Sequence, residues 1–528
     1  VLDRCSWALH ERQSASCLDR WATLGTGELV ADIARLEGRV LPRSWKLEDE
    51  TFREDVSMPT VKTLSGGEAT IDDAMVQALS ECLQGDVVTS ASPSYDEVRE
   101  LWNAMVDRRP GVIVRCASTN DVVRAVNLAR ENDLLVTVRG AGHNIAGNSI
   151  ADGAMMIDLS GMKSVDVDAA SQTVTAQPGV TLGELDAATQ EHGLAVSVGI
   201  NSTTGVAGLT LGGGFGWMSR KHGLTIDNLI SAEVVTAAGE VVTASADSHP
   251  DLFWAIRGGG GNFGIVTSFL YRAHPIGPEI LSGLIVHPGS DARACLDFYR
   301  DFAAQAPEEL TTWVVMRKAP PLPFLPEEVH GTDVLVFAVM YTGDMESGET
   351  ALRALRDYGN PIADAIGPHP YVGWQTAFDP LLTPGFRNYW KSHNFAGLTD
   401  ELFDVLVSAA GNLPSGHSEI FLAQLGGASS RVAPTDTAYW ARNAAFTMNV
   451  HTRWETADED ELCVSWARKL FGDVEPYATG DVYVNFMPDD ETDRVGNAYG
   501  GNYKRLAGIK KVYDPTNLFR VNHNIQPK

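Results

Sequence analysis

Cysteine, basic charge and long apolar runs are all scarce in this 528-residue chain, and each shortage closes off a class of function. The six cysteines, at positions 5, 17, 82, 116, 295 and 463, form no CxxC pair. Neither a disulfide framework nor a cysteine zinc site is therefore expected. Lys and Arg number 41 against 68 Asp and Glu, a formal net charge of −27. Nucleic acid and anionic membrane surfaces need basic patches and are excluded as partners. No segment approaches the roughly 20 apolar residues of a membrane span. The 13 histidines include no HxxxH or HExxH spacing, so no metal is expected. No basic stretch followed by an apolar one opens the chain, which sets a cytoplasmic protein as the expectation and leaves a removed leader open.

Glycine, by contrast, is plentiful, with 50 residues, and it is clustered. The length suggests two domains. Residues 1–57 carry Trp7, Trp21 and Trp45, one helix expected over Gly27 to Leu36, and no chemical motif. Met58 looks like an alternative start, and residues 1–71 are read as an extension. Helical patterns follow at Asp72 to Gln84 and, after a turn, within Pro93 to Met105. Gly111 to Arg115 is strand-like, and Asn120 to Glu131 is an amphipathic helix capped by Ser118 or Asn120. Further strands are expected at Leu134 to Val138, Gly153 to Asp158 and Gln172 to Ala176, with helices at Leu182 to Glu191 and Asp251 to Ile256. Glycine tracts stop near Pro275-Ile276-Gly277-Pro278. Beyond them helices (Ala292 to Ala304, Ser347 to Tyr358) and apolar strands (Val334 to Tyr341, Glu419 to Leu425) suggest a second, α+β domain.

Three glycine-rich tracts carry the chemistry. The first, Arg139-Gly140-Ala141-Gly142-His143-Asn144, follows an apolar strand and ends in a histidine. Backbone N–H groups without Cβ cover can close on a pyrophosphate, and a ring nitrogen beside them can act as a nucleophile. An ordinary strand-to-loop turn is the alternative. The second tract spans Gly199 to Gly216 and the third Arg257 to Val266. Tracts so rich in glycine have difficulty forming autonomous helices or strands and are expected to wrap one long ligand. A Rossmann fingerprint fails, because Ile145 stands where the third small residue belongs and strands follow instead of a helix. There is no GxxxxGK[ST], which excludes a P-loop.

These residues, together with Gly501 to Lys510 in the tail, resemble the berberine bridge enzyme-like flavoproteins of the vanillyl-alcohol oxidase superfamily. The resemblance runs from about Asp72 to the C-terminus. It implies an α+β, two-domain PCMH-type FAD-binding fold. A discontinuous FAD domain (72–275 and 476–528) would enclose an antiparallel-sheet substrate domain (276–475). It further implies FAD bonded through the His143 ring nitrogen to the flavin 8α carbon. Many relatives add a cysteine link to flavin C6. In this chain that position is Asn201, so a singly attached flavin is expected. Cofactor contacts are implied for Arg139, Gly140, Ala141, Gly142, His143, Asn144 and Gly147, and for Pro178 and Gly179. They are also implied for Thr203, Thr204, Gly205, Gly208, Gly212, Gly213 and Gly216, for Gly264, Ile265 and Val266, and for Tyr483, Asn485, Asn522 and Asn524.

Hydride transfer to a flavin needs a base for the accompanying proton. Strand alternation places Tyr389, Lys391 and His393 on one face, where the lysine could lower the phenol pKa. A half-buried strand with Lys391 in an ordinary ion pair fits equally well. Asp481 to Phe486 also alternates, setting Tyr483 and Asn485 on one face and Phe486 on the other. Sugar-oxidising relatives carry a tyrosine base at the position of Phe486, so the resemblance does not extend to their mechanism. Thr204 matches the family position over the flavin C4a–N5 edge, and its small size implies room for O2. Tyr371, Trp374, Gln375, His451 and Trp454 are pocket or core residues. The expected activity is an FAD oxidase acting on an alcohol, amine or related C–H centre of a small organic or natural-product substrate, with O2 giving H2O2. A flavin dehydrogenase with another acceptor and a catalytically silent flavin-bearing binding protein are the alternatives.

Overall fold

In the computed structural model, residues 60–528 are described; the helix expected over Gly27 to Leu36 lies outside them. Two larger sheets occupy the first half of the chain, beside two-stranded pairings of Thr60–Lys62 with Glu68–Thr70 and of Leu194–Ala195 with His274–Pro275. A four-stranded sheet runs in the order Asp86–Val88, Val112–Arg115, Met155–Asp158, Val136–Arg139, the last three strands parallel. Its strands are apolar because the helix Thr119–Glu131 covers it, burying Val122, Ala125, Val126 and Ala129. Ser118 caps that helix by accepting from Asp121 N–H, a contact worth about 1 kcal/mol. The second, five-stranded sheet is antiparallel, in the order Val241–Ser245, Leu229–Val235, Ile265–Arg272, Thr173–Ala176, Val165–Asp168. The helix Leu182–Gln190 packs near it and opens with a Thr181–Glu184 capping box.

The C-terminal tail returns to these sheets. Helix Tyr503–Tyr513 lies on helix Pro250–Ile256. Fully buried Lys510 donates to Asp514 Oδ2 (2.6 Å), Asn262 O (2.7 Å) and Phe519 O (3.1 Å), fastening the last residues beside the third glycine tract. Between these parts stands a large antiparallel sheet. Its strand order is Ala363–Asp364, Glu279–Pro288, Asp333–Tyr341, Leu310–Lys318, Glu419–Gln424, Phe446–Trp454, Arg387–Phe395, and Gly367–Pro370 also pairs with Glu279–Pro288. Helices Ala292–Gln305, Met345–Arg356, Asp400–Ala410 and Asp460–Val474 cover one face. The opposite face looks across at the glycine tracts. Among the described residues no helix is long and apolar enough to cross a membrane.

Three local expectations are corrected. Within Pro93 to Met105 only Tyr95–Arg99 is helical. The chain then extends so that Trp102 N–H reaches Gly142 O (3.2 Å) and the Asn103 amide reaches Asn388 O (2.9 Å). The glycine tract does contain a short helix, Val206–Leu211. Neighbours hold it: Val206 N–H donates to Val180 O (2.9 Å) and Leu182 N–H to Thr204 O (2.8 Å), so tertiary bonds override weak local propensity. Finally, Val484–Phe486 is a 3-10 turn, not a strand. Tyr483 and Phe486 therefore meet, ring centroids 4.9 Å apart, instead of facing opposite ways.

Candidate active site

The sheets enclose a cavity of about 390 Å3 between the glycine tracts and the open face of the antiparallel sheet. Strand alternation selects what enters it. Leu310–Lys318 presents Trp313, Val315 and Arg317, Glu419–Gln424 presents Glu419 and Phe421, and Phe446–Trp454 presents Asn449 and His451.

On the other side, Gly140 to Asn144 forms one wall. Gly142 takes φ +74°, a left-handed turn that brings His143 out of the strand line. Gly205 lies so close that a Cβ there would stand 2.8 Å from the Ala141 Cβ, so the first two tracts touch backbone to backbone. His143 is half-buried, its open part facing the cavity, and it stacks on Trp102 with centroids 4.3 Å apart. Burial lowers its pKa to about 3, and the nearby Arg453 and His451 add to the effect, so the ring is neutral. Its Nε2 lies 3.2 Å from Thr203 Oγ1, and that hydroxyl donates to Asn201 Oδ1 (2.8 Å). Thr203 is thus left to accept from Nε2–H.

Of the residues expected at a cofactor, Gly140, Ala141, Gly142, His143, Asn144, Thr204, Gly205, Gly208, Gly264, Ile265, Val266, Tyr483, Asn485 and Asn522 line the cavity. Arg139, Gly147, Pro178, Gly179, Thr203, Gly212, Gly213, Gly216 and Asn524 stand behind that wall and support it. Arg139 binds Val98 O, Gly179 N–H donates to Met162 O (2.9 Å), and Gly212 packs on the Asn485 amide. Tyr483 accepts from Asn485 Nδ2 (2.9 Å) and Gly214 N–H (3.2 Å), and burial pushes its pKa up to about 12. It is a phenol at neutral pH and holds Asn485 in place.

Tyr389, Lys391 and His393 do share a face, but it is the helix-covered one. Tyr389 donates to Asp490 (2.7 Å), Lys391 pairs with Glu491 (2.7 Å) and Asp490 (3.2 Å), and His393 stacks on Phe471. Burial and then Asp490 raise the Tyr389 pKa, the reverse of the lowering expected from its lysine neighbour. Trp390, one residue out of phase, faces the cavity. Trp454, bonded to Asp460 (2.7 Å), and Gln375, bonded to Asp186 (2.9 Å), are core residues, as are Tyr371 and Trp374; His451 is a cavity residue. Sequence reasoning missed Trp102, Arg317, Glu419 and Asn449. A visible signal for two of them was a charge of opposite sign at the end of each of two strands with apolar centres, Arg317 and Glu419.

The residues present fit a flavin dinucleotide. Asn522 Oδ1 and His523 Nε2 are buried without a hydrogen-bond partner, and both residues line the cavity. Residues 110–245 match the family described as FAD binding domain, and residues 482–526 the one described as berberine and berberine like. An FAD-linked oxidoreductase of Dictyostelium discoideum is 31% identical over 458 residues, which span 86% of this chain and 97% of that protein. The chain belongs to the berberine bridge enzyme-like FAD-linked oxidoreductases. Within this family, (R)-6-hydroxynicotine oxidase of Paenarthrobacter nicotinovorans is 28% identical over 466 residues, covering 84% of this chain and 97% of its own. A crystal structure of 6-hydroxy-D-nicotine oxidase from Arthrobacter nicotinovorans matches with TM-score 0.76 at 26% identity, covering 84% and 98% of the two chains. The family fold, PCMH-type and α+β, is the one described above.

Proposed function

We propose that the protein is an oxidase that carries FAD on His143 and passes electrons from an alcohol, amine or related C–H centre of a small organic molecule to O2, giving H2O2. The observation that carries this reading is the state of His143. It is a neutral ring at the cavity wall, with Nε2 held by the Thr203 hydroxyl. Bound FAD supplies a two-electron acceptor for hydride. The chain supplies its cradle from residues 72–275 and 476–528, and the substrate wall from 276–475. Asn201, lacking a thiol, orients Thr203 and hence His143, so one covalent anchor is proposed. Thr204 keeps the cavity wall open to O2, and Tyr483 positions Asn485.

Acid precipitation followed by peptide mass mapping tests the linkage. A yellow pellet with the flavin mass on the His143 peptide is expected from the native protein, and a colourless pellet from His143→Ala. A colourless native pellet overturns the linkage. Stopped-flow mixing of reduced enzyme with air tests the acceptor. Reoxidation within seconds with one equivalent of H2O2 is expected, whereas reduced flavin persisting for minutes would mark a dehydrogenase.

A further inference from the structure

Arg317 and Glu419 are the only Asp, Glu, Lys or Arg side chains among the described residues lining the cavity. With His451 they form a row across three adjacent strands, because Arg317 registers with Glu419 and Glu419 with His451. Arg317 Nη1 meets Glu419 Oε2 at 2.6 Å, and Glu419 Oε1 stands 3.3 Å from His451 Nδ1. On its far side His451 Nε2 lies 3.4 Å from Asn388 Oδ1. That amide oxygen is fixed toward the ring, since Asn388 Nδ2 donates to Phe386 O (2.8 Å) and Arg453 Nη1 donates to Oδ1 (3.3 Å).

The imidazole is therefore held between two acceptors. A neutral ring carries one N–H and can satisfy one of them, whichever tautomer it adopts; a second proton satisfies both. Four charged or titratable groups face the ring: Glu419 from the neighbouring strand, Arg317 beyond it, Arg453 on its own strand and His143 across the cavity. Burial lowers the His451 pKa, with Glu419 opposing, so the ring starts neutral. Burial also works against the Glu419 charge, but Arg317, His451 and Arg453 outweigh it and hold the carboxyl at about 2.

We propose, resting on the FAD-oxidase reading, that His451 backed by Glu419 is the group that takes the substrate's hydroxyl proton, and that the substrate is an uncharged, ring-bearing alcohol with a largely apolar body. In this step the substrate O–H bond breaks and its proton bonds to Nε2, because Nδ1–H already donates to the ionised Glu419. The oxygen keeps the electron pair, which becomes the second C–O bond as the carbinol hydrogen leaves with its own pair; FAD held by the glycine tracts would supply the acceptor for that hydride. The alcohol is thereby oxidised by two electrons to a carbonyl, which balances against the two-electron acceptor that FAD would supply. The resulting imidazolium has Glu419 on one side and Asn388 on the other.

The substrate class follows from the same wall. Arg317 already neutralises Glu419, so an ammonium or carboxylate substrate would enter the cavity without a free counter-charge. Trp313, Phe421, Trp390, Phe486, Leu322 and Phe324 are apolar or aromatic residues that also line the cavity. Most hydroxyls of a sugar would be left without partners against it. Unpaired Asn449 Oδ1 and Trp390 Nε1 offer one acceptor and one donor for a further polar group.

A test uses 4-nitrophenol, an uncharged phenol whose ionisation is visible. It is titrated at pH 6 into flavin-loaded native protein, His451→Gln and Glu419→Gln, with the flavin spectrum subtracted. The native protein is expected to bind it largely as phenolate. The ionised fraction should fall at least tenfold in His451→Gln and by a smaller factor in Glu419→Gln, both variants keeping the native flavin spectrum. An unchanged ionised fraction in His451→Gln, or no binding to the native protein, overturns the proposal. Anaerobic mixing with uncharged aryl and alicyclic alcohols should bleach the flavin, and bleaching only by matched ammonium compounds or sugars overturns the substrate class. A native protein that takes up no FAD yet still ionises the phenol through His451 would defeat the cofactor reading and leave the proton acceptor standing.

Discussion

His143 draws its chemistry from neighbours more than from its own sequence context. Thr203 and Asn201 fix its tautomer, Trp102 covers one ring face, and burial keeps it neutral. The same dependence holds for Asn485, whose amide donates to Leu209 O (3.1 Å) and Tyr483 OH (2.9 Å). Gly212 makes that possible: a Cβ there would fall 2.1 Å from Asn485 Oδ1. Gly212→Ala must therefore push a doubly bonded amide out of place. A cost of about 1–3 kcal/mol is expected, with a shifted flavin absorbance. Denaturant melts and visible spectra of the loaded variant check this, and a native spectrum with unchanged stability would mean that Asn485 is not held as described.

At the scale of elements, the helix Leu182–Gln190 is tied to Tyr371–Gln375 through a buried carboxyl. Asp186 Oδ2 accepts from Gln375 Nε2 (2.9 Å), while Asp186 Oδ1 has no partner. Burial raises the Asp186 pKa to about 7, with Gln375 and Tyr371 pulling the other way. The unfolded value is about 4, so this carboxyl favours the folded state fully below pH ~4 and loses that contribution as pH rises toward ~7. Asp186→Asn removes the ionisation and keeps an acceptor for Gln375. The variant is expected to be more stable than the native protein at pH 8, by on the order of 3 kcal/mol, with the gap closing below pH ~4. Unfolding curves at both pH values decide it; a gap independent of pH would mean that Asp186 titrates normally.

Elements were also the level at which the sequence was most readable. Strands such as Asp333–Tyr341 and helices such as Thr119–Glu131 follow from hydrophobic period and capping, and both are local properties. The alternation that put Tyr389, Lys391 and His393 together was equally local and is seen in the strand. Which face meets the cavity was not local. It depends on helix Asp460–Val474, more than sixty residues later, lying over that side of the sheet. For the same reason Arg317, Glu419 and His451, adjacent only through strand register, could not be assembled from spacing along the chain. The glycine tracts were legible because close backbone approach leaves its mark directly in composition.

For the whole molecule, function requires that the glycine-tract side and the sheet side keep the cavity between them at a fixed width. Buried arginines bridge the two. Arg220, beside the second tract, donates to Leu310 O (2.8 Å), Leu425 O (2.9 Å) and Ala306 O (3.0 Å) of the other part. Arg442 pairs with Asp227 through two contacts of 2.7 Å, and its side chain is fully buried. A bidentate pair at such a junction fixes orientation as well as distance. Its net worth, however, is set against the cost of desolvating both charges. Asp227→Asn leaves the guanidinium buried without a counter-charge and should cost about 3–5 kcal/mol. Replacing both, Asp227→Leu with Arg442→Met, should recover most of that loss while releasing the orientation. Denaturant midpoints of the singles and the double give the coupling energy, and 4-nitrophenol affinity reports the cavity. The double variant is expected to melt near the native midpoint yet bind the phenol several-fold more weakly. Full binding in the double would show that packing alone sets the width of the cavity, and that the arginine bridges are dispensable to it.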